Sequence, residues 1–257
     1  MKKLKTHMLL LMILSLSNSC SHAQEKEVKG DLYFVSETFI APENITVFKE
    51  YNKAYKKLAD EKNGPEYFVN HADGSYRFGA KFGTEMSDLA DFYKKWGEWS
   101  AEPDVKALND KFQYTEDHYN VAIWRHSPEL SYSIKGDSKD TVTYQYRRYT
   151  EYYVKTDKVD EFKNIIKEYI AEYTKLGVDV KITCFWNLMG REAPCLMVVD
   201  YYIDEENWVL SKKKYEEHTK ENEKITELSK RFLAVLRKSK DYEGYYVKNL
   251  SHYNSEK

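Results

Sequence analysis

Two stretches of this 257-residue chain look like copies of one another, and that restricts what it can fold into. The first runs from Asp31 to about His126, the second from Thr143 to about Tyr253. Each reads as strand, helix, strand, strand, helix, strand. Phe48-Lys49 with Tyr55 in the first copy matches Phe162-Lys163 with Tyr169 in the second, each pair 114 positions apart. Gly64 and Gly177 then end the two matched helices, allowing one gap. One unit of this order makes a four-stranded antiparallel sheet with helices on one face. The other face must be buried, and the second copy supplies the cover. The expected fold is α+β, an internal pseudo-dimer whose two sheets close into a barrel with helices outside.

Local patterns place the elements. In copy one, Leu32 to Ile40 reads as a strand. Pro42-Glu43-Asn44 opens a helix whose apolar stripe is Val47, Phe48, Tyr51, Ala54, Tyr55 and Leu58, and Asn63-Gly64-Pro65 stops it. Two strands flank the hairpin turn Asp73-Gly74. Helical spacing resumes from Met86 to Trp96, a short helix follows Pro103, and His118 to His126 is a final strand. In copy two, Tyr144 to Val154 is a strand and Val159 to Leu176 an amphipathic helix ended by Gly177. Val180 to Leu188 and Cys195 to Tyr202 form a hairpin. Asp204 caps a long helical region running to about Lys238, and the last strand covers Tyr242 to Leu250. The domains expected are repeats at 31–130 and 143–253, joined by a polar linker at 131–142.

The first residues stand apart from the fold. Lys2, Lys3 and Lys5 precede a short apolar core from Met8 to Leu16, too short to span a bilayer, and Ser21-His22-Ala23 is a small-residue cleavage signal. This reads as a signal peptide over 1–23 and an exported protein, periplasmic or secreted. The alternative is lipidation of Cys20, making an outer-membrane lipoprotein; Leu16 stands one place too far back for a regular lipobox. No later segment is apolar and long enough to span a membrane. Cleavage removes three lysines and takes the formal charge from −2 to −5. Acids and bases are interspersed, which argues against nucleic acid as a partner. Beyond Cys20 only Cys184 and Cys195 remain, flanking a turn at Gly190-Arg191-Glu192. A turn centred on Met189-Gly190 would pair them in a disulfide; one centred two residues later leaves free buried thiols. No zinc-ligand signature is present.

The run Trp208-Val209-Leu210-Ser211, then Tyr215-Glu216-Glu217-His218, within Tyr201 to Asn222, resembles the second-helix segment of the antibiotic-biosynthesis-monooxygenase type of dimeric α/β barrel. That is a branch of the ferredoxin-like folds, so the resemblance implies two ferredoxin-like repeats in one chain. In haem-degrading members a His on this helix ligates iron and a preceding Trp distorts the macrocycle. His218 and Trp208 match those places, so haem is the one prosthetic group the resemblance brings in; otherwise no cofactor is expected. Those enzymes also use an Asn on the first strand, and Arg147 to Glu151 contains none. Copy one carries Trp96 and Trp99 on its second helix and no matching His. One competent pocket, in or near copy two, is the expectation.

Other candidates come from the repeat itself. Glu37 and Glu151 share the same 114-residue offset, each on a first strand. By period two, Glu151 shares a face with Arg147, Tyr149 and Tyr153. If that face looks into the barrel, the two carboxylates approach each other and share a proton or a cation; alternatively Arg147 neutralises Glu151, or both point to solvent. His118, Asn120, Trp124 and His126 alternate onto one strand face near His71, which does not complete a metal site. Trp186 offers a surface for a flat ligand, or fills core. No phosphate-binding Gly loop and no Gly-x-Ser-x-Gly elbow is present. With 23 Tyr, strands of this kind suit a damp pocket. Three functions follow: a monomeric exported protein binding a small aromatic or amphipathic molecule between strands and helices, a cofactor-free or haem-dependent monooxygenase, or a structural and interaction protein of the cell envelope.

Overall fold

A computed structural model describes residues 30–112, 116–133 and 144–253. The expected signal peptide and Cys20 lie outside the described residues. The first half contains β1 (Leu32–Phe39), α1 (Ile45–Lys62), β2 (Phe68–Ala72), β3 (Ser75–Gly83), α2 (Leu89–Ala101), α3 (Pro103–Lys111) and β4 (His118–His126). A two-residue strand, β5 (Tyr132–Ser133), follows. The second half contains β6 (Tyr146–Val154), α4 (Val159–Leu176), β7 (Lys181–Met189), β8 (Cys195–Tyr202), α5 (Glu205–Thr219), α6 (Glu223–Val235) and β9 (Leu236–Tyr246).

Eight strands hydrogen-bond in the order β4-β1-β3-β2-β9-β6-β8-β7, and β7 returns to β4, so the sheet closes into a barrel. Every described ladder is antiparallel. Within each half the spatial order is fourth, first, third, second strand. The two seams are alike, each joining the second strand of one half to the fourth of the other. One is β2–β9 (Asn70 opposite Tyr246); the other is β4–β7 (Trp124 opposite Asn187). The short β5 lies outside the ring, pairing with β7, so part of the expected linker is strand.

The helices cover the outside because each carries an apolar stripe that needs the sheet. Phe48 and Ala59 of α1 are fully buried in a core with Tyr67, Val69, Trp99 and Val105. Phe162 and Ile165 of α4 are fully buried with Leu196, Leu228 and Val154. Burying a side chain of this size stabilises the fold by ~1.5–3 kcal/mol. The matched helices stop differently. Gly177 takes the left-handed conformation after α4, whereas Asn63, not Gly64, does so after α1.

Two boundaries and one pairing differ from expectation. The long last helix is two, α5 and α6, broken where the Asn222 side chain accepts from the Ile225 amide at 3.0 Å and starts a new helix. The last strand begins at Leu236 rather than Tyr242, because Leu236 to Asp241 already pairs with β6. The Cys184–Cys195 disulfide does not form: both are free, buried thiols. The β7–β8 turn is centred later than that pairing needs, so Cys184 faces Val198 across the hairpin. Alternation then puts Cys184 in the helix-side core and Cys195 inside the barrel.

Candidate functional site

Alternation along the strands sends one set of side chains into the barrel. Glu37 from β1 and Glu151 from β6 are both inside, 7% and 3% exposed. Neither is left to a shared proton or a metal ion, because arginines lie against them. Arg77, opposite Glu37 on β3, donates through Nη2 and Nε to Glu37 Oε1 at 2.5 and 3.0 Å. Arg191 donates to Glu37 Oε2 at 2.8 Å and lies 3.6 Å from Glu151 Oε1. Glu151 also accepts from the hydroxyls of Tyr153 (2.7 Å) and Tyr242 (3.0 Å). The Arg77 guanidinium sits 4.2 Å from the centroid of the Tyr242 ring, which stacks on Tyr149. Burial disfavours an ionised Glu37, but Arg77 and Arg191 outweigh it and hold its carboxyl below the usual range.

Arg191 reaches this place from the β7–β8 turn. Gly190 has φ +89°, and an added Cβ would collide with the Val121 carbonyl oxygen of β4. Only glycine lets the turn run that close to β4. The Asn187 carboxamide then holds the turn, accepting from the Arg191 amide at 3.2 Å and donating to the Met189 carbonyl at 2.8 Å.

Arg147 does not neutralise Glu151. Four residues along a strand is about 13 Å, so a shared face does not make them neighbours. Arg147 instead donates to Asn70 Oδ1 at 2.6 Å, with its guanidinium 5.1 and 5.0 Å from the centroids of Tyr201 and Tyr246. Its Nε and the Tyr149 hydroxyl are buried and have no hydrogen-bond partner among the described residues. Burial pushes the Tyr149 phenol up. A small inner cavity of about 70 Å³ runs past Glu37, Tyr149 and Arg147. It meets a vestibule of about 690 Å³ at the barrel mouth. Tyr33, Phe68, Arg147, Phe185 and Tyr201 line both.

Outside the sheet each half has a cleft against its helices. In the first half it is about 420 Å³ and strongly aromatic, lined by Phe34, Tyr51, Tyr55, Tyr67, Phe78, Phe92, Tyr93, Trp96 and Tyr119. The buried Tyr67 hydroxyl there has no partner among the described residues. In the second half the matching space is filled by Phe162, Tyr152, Phe232 and Trp186, so Trp186 is core. What remains is a groove of about 270 Å³ beside Tyr144, Lys181, Lys214, Tyr215 and His218.

His218 is exposed at that groove, its Nδ1 bonded to the Lys214 carbonyl at 2.7 Å. Trp208 does not line it. Trp208 packs instead on Tyr146 (5.9 Å) under the Arg148 guanidinium (4.7 Å). The structure therefore does not bring Trp208 and His218 together. The groove is smaller than the ~300–1,000 Å³ typical of clefts for drug-sized ligands. These residues, as placed, do not fit a haem. The histidines on β4 are also apart: His118 stacks on Phe39 at one end, whereas His126 lines the vestibule at the other. His71 packs on Tyr76. Among the described residues no three His, Cys, Asp or Glu cluster as metal ligands, and no helix is long and apolar enough to cross a membrane.

Sequence reasoning found Glu37, Glu151, Arg147 and Tyr149 but missed Arg77, Arg191, Tyr242 and Tyr67. Arg77 was signalled: a charge between Tyr76 and Phe78 in an apolar strand calls for a buried partner. Arg191, in a turn, carried no such signal.

No family model matches the chain, and no curated protein matches it. Solved structures do. A candidate monooxygenase from Lactobacillus acidophilus is similar at 10% identity, TM-score 0.52, over 86% of this chain and 94% of its own. An anthrone oxidase-like protein is similar at 13% identity, TM-score 0.53, over 86% and 92%. A candidate monooxygenase from Fusobacterium nucleatum gives 11% identity, TM-score 0.53, over 86% and 94%. At such identities the likeness is one of fold: an α+β chain whose closed antiparallel barrel and outer helices have the dimeric α/β-barrel architecture.

Proposed function

We propose that this protein is an exported binder of small, flat, hydroxylated aromatic molecules, held in the helix–sheet cleft of its first half. The observation that carries this reading is the Tyr67 hydroxyl, buried among aromatic rings and unpartnered among the described residues at the wall of a cleft of about 420 Å³. A ligand hydroxyl would satisfy it, while Tyr55, Phe78 and Trp96, all within 6.4 Å of the Tyr67 ring centre, supply stacking surface. The chain is read as an internal pseudo-dimer, repeats 31–130 and 143–253, in which the second half is filled and the first has kept its cleft. This reverses the expectation of a pocket in copy two. Export rests on the basic and apolar start of the sequence.

A second reading, cofactor-free oxygenation in the same cleft, is favoured by Glu116 at its rim. Desolvation raises that carboxyl, which suits it to take a phenol proton and leave an oxygen-reactive phenolate. The proteins of like fold that are described as monooxygenases agree with this reading.

Titration of the mature protein with 2-naphthol, followed by tryptophan fluorescence, tests binding; naphthalene is the hydroxyl-free control. The expected result is ~3–10-fold tighter binding of 2-naphthol, the worth of one net hydrogen bond. Tyr67→Phe should remove the difference. Equal affinities for both probes, or an unaffected Tyr67→Phe variant, would overturn the proposal. Oxygen uptake with 2-naphthol, measured at an electrode and lost in Glu116→Gln, would mark the second reading.

A further inference from the structure

The barrel mouth carries chemistry that the outer cleft does not use. Its vestibule of about 690 Å³ is lined by Arg147, Lys181 and His126, by seven aromatic side chains, and by no aspartate or glutamate. Of the three arginines along the inner cavity, Arg77 and Arg191 are bonded to Glu37. Two carboxylates against three guanidinium groups leave one positive charge over. That charge is on Arg147, which has no carboxylate within ion-pair distance among the described residues. Among the described residues its one hydrogen bond is to Asn70 at 2.6 Å, and it also lies close to the Tyr149 hydroxyl. Tyr201 and Tyr246 lie against the guanidinium and restrict its movement. Among the described residues its Nε and the Tyr149 hydroxyl, two residues further along the same face, are buried without a well-formed hydrogen bond, and they lie close enough together for one acceptor to serve both.

We propose that the barrel mouth is a separate binding site for a flat aromatic carboxylate, held by Arg147. The carboxylate enters the inner cavity and accepts from Arg147 and from the Tyr149 hydroxyl, satisfying the orphaned donors. A planar carboxylate matches the guanidinium fork, and one negative charge balances the one in excess. The ring of the ligand lies in the vestibule between Tyr33, Phe68, Phe185 and Tyr201. Tyr33 already meets Phe185 edge-on at 5.7 Å and Phe68 at 6.2 Å, so the walls are set before a ligand arrives. Leaving a partly buried cation without a counter-ion is costly, and a resident anionic ligand offsets that cost. The site faces the barrel interior, whereas the Tyr67 cleft is on the helix side of the sheet, so the two are separable by mutation.

The test uses the mature chain with 2-naphthoate and its neutral analogue 2-naphthamide, followed by calorimetry. The expected result is that 2-naphthoate binds at least tenfold tighter than 2-naphthamide, and that Arg147→Met removes the discrimination. Arg147→Lys, which keeps the charge but loses the fork, should fall between; it also serves if the Met variant does not fold. Tyr67→Phe should leave 2-naphthoate binding unchanged. Equal affinity for the two probes, or no binding of 2-naphthoate, would overturn the proposal. So would competition with 2-naphthol together with loss in Tyr67→Phe, which places the ligand in the outer cleft. A tenfold loss of affinity between pH 6 and pH 8 would transfer the anion to His126 and also overturn it, because arginine does not titrate there.

Discussion

The Glu37–Arg77 pair makes the most exacting prediction. Its side chains are 10% and 7% exposed, too little for water to take over if one partner goes. Glu37→Gln keeps the shape and one acceptor oxygen but removes the charge, leaving Arg77 with only the Tyr242 and Tyr149 ring faces to offset its own charge and Arg191 without its Glu37 carboxylate. Stranding a buried charge in this way costs ~3–5 kcal/mol. Arg77→Met strands less, since Glu37 retains Arg191 at 2.8 Å and the Ser75 hydroxyl at 3.2 Å. With the lost Tyr242 contact, ~2 kcal/mol is expected. The double variant removes both charges and should cost about as much as Glu37→Gln alone, a coupling of ~2 kcal/mol. Urea melts at pH 7 measure all three, and a loss of 3 kcal/mol should appear as a fall in Tm of ~6–12 °C. The pH dependence has a definite sign. The folded carboxyl lies below its unfolded value, so its stabilisation is present above ~4.3 and fades as pH falls through the folded value. The gap between wild type and Glu37→Gln should therefore be widest near neutrality and narrow on acidification. Single-variant losses that add to within ~0.5 kcal/mol would refute the reasoning, since independent sites behave that way.

Three further outcomes follow from the same packing. Asp200 of β8 is pushed up to about 7 by burial, so ionising it works against the fold and stability falls as pH rises from ~4 through 7. Asp200→Asn should raise stability at pH 8 by ~1–4 kcal/mol and leave it nearly unchanged at pH 4, by denaturant melts at both. Gly79→Ala would drive a Cβ into the Phe68 ring, which lines the barrel mouth, so 2-naphthoate affinity measured by calorimetry should drop. Cys184 and Cys195 should resist iodoacetamide until the protein is denatured, then both add label by mass spectrometry, because burial raises both thiols.

What could be read from the sequence was whatever depends on local period. Phe48 and Phe162 were picked as equivalent core positions, and both are fully buried. Alternation grouped Glu151 with Arg147 and Tyr149 on one face of β6, which is why it was singled out with Glu37, but it left open which face looks inward. Asp73-Gly74 forms the hairpin turn expected, with positive φ at both residues. What could not be read was anything decided by register or by the space between layers. Arg77 meets Glu37 because β3 pairs with β1 at that register. Arg191 arrives from a turn. Pairing Arg147 with Glu151, one of the alternatives, rested on a shared face and ignored the distance along a strand. The volume of each cleft was not legible either. His218 and Trp208 have the expected spacing in sequence, yet Trp208 packs on Tyr146 away from the groove at His218, and Phe162, Phe232 and Trp186 fill the core between α4, α6 and the sheet. No pattern on one helix reports how full the layer under it is.

The ring of strands also sets an order of assembly. β2 acquires its second neighbour only from β9, and β6 needs β9 on one side. The strand completing both is made last, more than 160 residues after β2. Until it arrives, two edges stand open, each a template for pairing with another chain. Contacts of such long sequence separation also form slowly. A fragment ending at Val235 would keep every α-helix and seven of the eight barrel strands, yet should aggregate rather than fold. The last eleven-residue strand acts as the clasp of the barrel, and its synthesis is the step after which the chain ceases to be sticky.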